Sequence, residues 1–208
     1  VFGDLETSPL TEVPAGRAEV STVVVDANSH PSWLRRTWQR VIEEVAEGRQ
    51  AYVVCPRISV DSSRDADEED EAGAAVEDVY AQLTAGPMAD LRVEMLHGRL
   101  PAEQKDDIMA RYVAGQVDVL IATTVIEVGV DVPNASAMVI CDADRFGISQ
   151  LHQLRGRIGR GAYPGICLLL TGTPPDTPAA ERLAAVARTR DGFALARVDL
   201  EQRREGDV

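Results

Sequence analysis

The chain has 208 residues, 45% of them hydrophobic, and a formal net charge of −13, which suits one domain of ample core plus appendages and argues against a uniformly basic nucleic-acid binder. No apolar run approaches the roughly 20 residues of a membrane span, and the amino terminus is neither basic nor hydrophobic like a secretory signal, so the expectation is a cytoplasmic protein with no membrane partner. Cys55, Cys141 and Cys167 stand far apart without a CxxC pair, each in or at the end of an apolar strand, which points to reduced core thiols and to no metal site.

In chain order, residues 1–18 carry Pro and Gly and read as an entry link. Residues 19–26 are an apolar run of strand type. Residues 32–47 then place Leu34, Trp38, Val41, Ile42 and Val45 on one helical stripe, and 51–55 form the next strand. Between 61 and 80 the acids Asp61, Asp65, Asp67, Glu68, Glu69, Asp70, Glu71, Glu77 and Asp78 face Arg64 alone. Such a charge run predicts a solvated, mobile loop near 61–75. It also concentrates much of the negative charge in one place, leaving room for a local positive patch elsewhere. A helix near 74–85, a strand at 91–96 and a helix over 102–114 closed by Gly115 follow. Strands recur at 117–122, 136–142 and 165–170, with a helix over 149–159 between the last two. This alternation predicts an α/β domain over 19–172, with a mainly parallel sheet and helices on both faces. At 171–176 the composition turns to Thr, Gly and Pro, and 178–190 with 192–205 read as a short helical hairpin within 173–208.

Three stretches carry chemistry. Residues 150–161 read QLHQLRGRIGRG, with Arg155, Arg157 and Arg160 set among Gly156, Gly159 and Gly161. Guanidinium forks beside small residues suit the grip of a polyanion, although a solvated basic helix end has the same local look. Residues 119–134 read VLIATTVIEVGVDVPN. Here a buried strand delivers Thr123, Thr124, Glu127, Gly129 and Asp131 beyond its carboxyl end, where the ligand crevice of an open α/β sheet lies. The same glycine and Pro133 also serve as turn residues, and either threonine as a helix cap. His97-Gly98-Arg99 closes another strand, as a turn with a surface arginine or as a contact to a phosphate backbone. No G-x-x-x-x-G-K-[ST] loop occurs, and no acid pair follows a strand as in a magnesium-binding DExH box. The chain carries at most half of an ATPase site.

Together the last two motif stretches resemble motifs V and VI of the second motor domain of superfamily 2 helicases. In detail, 125–135, 143–147 and 150–161 resemble the RecG family of branch-migrating ATP-dependent DNA helicases, as do the opening 1–7 with 13–17 and the ending 191–201. The resemblance implies a RecA-like three-layer lobe, entered by an interdomain link over 1–18 and followed by a helical hairpin that stops before its trailing loop. Arg204-Glu205 departs from the Gly-Pro or Gly-Glu pair of relatives. ATP is the implied cofactor, with Mg2+ held by a first motor domain. Arg157 and Arg160 are implied as catalytic, Arg160 as an arginine finger, and both bind nucleotide together with Gly129 and Asp131. Thr123, Thr124, His97, Gly98 and Arg99 are implied to meet the nucleic-acid backbone, while Gln150, Gln153 and Glu127 couple the two sites. The implied partners are branched DNA, such as stalled forks and Holliday junctions, and the first motor domain and DNA wedge domain of the same protein; this chain alone is expected to be inactive. Two other readings remain. A transcription-repair coupling type double-strand DNA translocase shares 150–160 but differs at the amino-terminal link. A non-catalytic nucleotide or interaction module needs only the bare α/β rhythm.

Overall fold

The computed structural model describes residues 19–56, 65–123 and 132–189, with 65–72 by backbone alone. The link over 1–18, Thr124, Glu127, Gly129, Asp131 and the second hairpin helix at 192–205 lie outside the described residues.

Six strands, β1 (Val20–Asp26), β2 (Gln50–Val54), β3 (Val93–Leu96), β4 (Val119–Ala122), β5 (Ala135–Ile140) and β6 (Gly165–Thr171), form one sheet in the order β1-β6-β5-β2-β4-β3. Every pairing is parallel. The sequence explains why. The residues of β2, β4 and β5 are buried along their whole length, as a strand covered on both faces must be, and parallel sheets of this kind occur with both faces covered.

Alternation along the strands divides the core in two. Ala51, Val53, Val119, Ile121, Ala137 and Val139 face α1 (Pro31–Ala46) and α2 (Asp65–Ala85), through Val41, Val76 and Leu83. Tyr52, Val54, Leu120, Met138 and Ile140 face the other way. There they meet α3 (Ala102–Val113), α4 (Ile148–Arg155) and α5 (Pro178–Arg188), through Ile108, Leu151, Leu154 and Leu183. Each fully buried aliphatic side chain is worth about 1.5–3 kcal/mol of transfer energy. These two apolar layers therefore dominate over any single polar contact in holding the lobe. The RecA-like three-layer expectation holds.

Two boundaries differ from the sequence reading. The acidic run is not a loop from Asp65 onward, because α2 begins there. Ala and Glu are good helix formers, and acids in a first turn complement the positive end of the helix dipole, so local propensity outweighs the charge density. α4 ends at Arg155 rather than near 159. Gly156 closes the helix, and Gly159 takes φ +72, a left-handed conformation that suits glycine and cannot continue an α-helix.

Candidate nucleotide and nucleic-acid faces

The parallel register sorts the motif residues onto two edges of the sheet. β3 and β4 run in step, with Leu96 opposite Ala122. His97 therefore follows β3 beside the point where Thr123 follows β4, both at the carboxyl edge. The chain leaves this edge after Thr123 and is next described at Val132 and Pro133, just before the amino end of β5, where Ala135 N donates to Val132 O at 3.0 Å. The expectation that this whole motif stays in the carboxyl-end crevice needs correction, because Asp131 immediately precedes residues at the opposite edge. A motif that begins at one edge and ends at the other can report from one site to the second.

At the amino edge, α4 delivers its arginines to a turn pressed against that same Pro133. A Cβ at Gly161 would collide with the Pro133 carbonyl oxygen, so only glycine lets the two segments lie so close. Asn134 fixes the other side of the turn: its Nδ2 donates to Gly48 O at 3.0 Å, and Gln50 N donates to its carbonyl at 3.0 Å. Arg49 lies over the Tyr163 ring at 4.9 Å from the centroid and pairs with Glu44 at 2.6 Å, so the turn is braced from α1 as well.

The three arginines have different fates. Arg155 is 7% exposed and turns inward, donating to the Val186 carbonyl and, through Nη2, to Thr189 O at 2.8 Å. It ties α4 to the end of α5. Arg157 is half-buried, and Arg160 is exposed with its Nε donating to Gly156 O at 2.8 Å. That bond fixes the stem while the guanidinium ends sit at the surface beside the Pro133 turn. Gln150 and Gln153 are exposed on α4. Gln150 Oε1 accepts from Gly147 N at 3.1 Å, which caps the helix start.

At the carboxyl edge, Thr123 and His97 are each 2% exposed. The expectation that these two side chains present themselves at the surface is therefore corrected: both are packed into the end of the sheet. Burial pulls the His97 imidazole below its ordinary value, Glu77 pulls it back, and Arg99 and Lys105 add to the depression. Gly98 and Arg99 form the outward part of the turn. Lys105 Nζ donates to Gly98 O at 3.1 Å, and Arg99 pairs with Glu77 at 3.0 Å. Glu77, Gly73 and Arg155 were not singled out in the sequence; their partners lie more than twenty residues away, where no local pattern reaches.

The arrangement joins an exposed arginine pair on a glycine-braced turn at one edge to a basic turn at the other. The helicase conserved C-terminal domain family matches residues 34–162. The chain is 57% identical over its full length to the ATP-dependent DNA helicase RecG of Mycobacterium bovis and 42% identical to that of Bacillus subtilis, spanning 28% and 29% of their lengths. A solved structure of RecG bound to a three-way DNA junction superposes with a TM-score of 0.69 at 36% identity, over 91% of this chain and 23% of that one. Fold, motif geometry and family match agree: the chain belongs to the helicase conserved C-terminal domain family.

Proposed function

We propose that this chain is the second motor lobe of an ATP-dependent DNA helicase of RecG type, acting on branched DNA together with a first motor lobe and a wedge domain in the same protein. The observation that carries the reading is the turn of Arg157 and Arg160, held at the surface by Gly159, Gly161 and Pro133. Guanidinium groups so placed suit the phosphates of ATP, which supplies the driving force when bound. Arg160 acts as the finger that meets charge developing on the terminal phosphate, and Arg157, Gly129 and Asp131 hold the nucleotide. Among the described residues no group of three or more His, Cys, Asp or Glu could hold a metal, so Mg2+ is assigned to the first lobe. The carboxyl-edge turn of Gly98 and Arg99, with Thr124 nearby in sequence, meets the DNA backbone, where contacts position the strand without reading its bases. Thr123 and His97 support that turn from within. Gln150, Gln153 and Glu127 couple the two edges. No helix among the described residues is long and apolar enough to cross a membrane, and we assign the protein to the cytoplasm.

The test compares two substitutions in a protein carrying both motor lobes. Arg160→Ala is expected to lower turnover by about 10³-fold or more while nucleotide affinity changes little, as for other arginine fingers, and lysine is expected to rescue poorly. Thr124→Ala is expected to keep basal hydrolysis and to lose fork unwinding. Near-normal turnover in Arg160→Ala with abolished basal hydrolysis in Thr124→Ala would reverse the two assignments.

A further inference from the structure

Arg99 leaves the 97–99 turn at the surface and lies across α2. Its Nη2 donates to Glu77 Oε1 at 3.0 Å, both side chains being partly exposed at 37% and 47%. A Cβ on Gly73 would stand 2.6 Å from Arg99 Nε. Gly73 and Glu77 are four residues apart on one helix and so share a face. α2 thus offers the guanidinium a seat cleared of side chain and, one turn on, a carboxylate. A carboxylate and a phosphodiester present the same kind of paired anionic oxygens to an arginine fork. The same Glu77 oxygen stands 3.4 Å from His97 Nε2, without the geometry of a hydrogen bond.

From this geometry we infer that Glu77 is the resting occupant of a phosphate seat on Arg99, and that DNA binds at this edge by exchanging the Glu77 carboxylate for a backbone phosphate. The inference rests on the reading of Arg99 as a DNA contact. It assigns α2 a task its sequence did not suggest: an acidic element that lowers the affinity of the motor lobe for DNA and so favours release. A carboxylate this close to an incoming phosphate both competes for the arginine and repels the phosphate. Neutralising it without changing its shape should therefore tighten binding, whereas a purely structural role for Glu77 gives the opposite sign.

The experiment measures affinity for a forked DNA duplex by fluorescence anisotropy across a potassium chloride series, in the protein carrying both motor lobes and without nucleotide. Glu77→Gln is expected to bind about three- to tenfold tighter at low salt, with the gain shrinking as salt screens the charge. Arg99→Ala is expected to bind more weakly, and the gain from Glu77→Gln to disappear in its background. Unchanged or weaker binding by Glu77→Gln, with Arg99→Ala still impaired, overturns the exchange and leaves the DNA reading standing. A gain that persists in the Arg99→Ala background overturns it as a general charge effect. An Arg99→Ala variant that binds normally removes both the exchange and the DNA reading of this turn.

Discussion

Arg155, Arg157 and Arg160 are indistinguishable by residue type and lie within six positions, yet they divide between structure and chemistry. Arg155 serves the fold: the carbonyls of Val186 and Thr189 that it satisfies are 31 and 34 residues distant, so no local pattern could announce the role. Removing it strands those carbonyls and leaves a cavity between α4 and α5. Arg155→Ala is expected to cost about 2–4 kcal/mol of stability, read as a lowered denaturant midpoint. An Arg155→Ala variant with wild-type stability would contradict the buried contacts. The spacing of Arg157 and Arg160, by contrast, was legible, because a motif held at the surface for a ligand is written in adjacent residues. His97 and Thr123 show the opposite lesson. Their place in the chain was read correctly at strand ends, while their burial depends on what packs over those ends.

At the scale of elements, the continuous apolar runs of the central strands identified a parallel sheet before any packing was known. Helix ends were less legible. The start of α2 turned on a contest between charge repulsion and helix propensity, and the end of α4 on a glycine whose φ only the surrounding turn dictates. The brace among α1, β2 and β5 was also invisible. Glu44, 2% exposed on α1, accepts from Arg49 and from Ser136 at 2.6 Å each and pairs with Arg40 at 3.0 Å. Burial alone would push its carboxyl up, but the hydrogen bonds from Arg49 and Ser136 and the charges of Arg49 and Arg40 outweigh it and hold the group below its ordinary value of 4.5. A depressed carboxyl contributes stability that is present above that value and lost as pH falls through the folded one. Glu44→Gln is therefore expected to be less stable than wild type at pH 7, with the difference in thermal midpoint shrinking below about pH 4.5. A difference independent of pH would mean that the charge on Glu44 contributes nothing.

For the whole molecule, the strand order and the two helical layers place two basic turns at opposite edges of one rigid sheet, with the 124–131 stretch running between them. Composition hid this arrangement, since a chain of net charge −13 reads as a poor partner for DNA until its acids are located. Many of them fall on α2, beside Arg99. The central claim is that this lobe holds half of an ATPase site and becomes active only against a second half bearing the phosphate loop. Steady-state phosphate release with branched DNA tests it most directly, on this chain alone, on the same lobe joined to a first motor lobe, and on the joined protein with Arg160→Ala. The account predicts background release from the lobe alone, DNA-stimulated turnover from the joined protein, and its collapse in the variant. DNA-stimulated hydrolysis by the lobe alone, or full turnover by the joined Arg160→Ala protein, would contradict it.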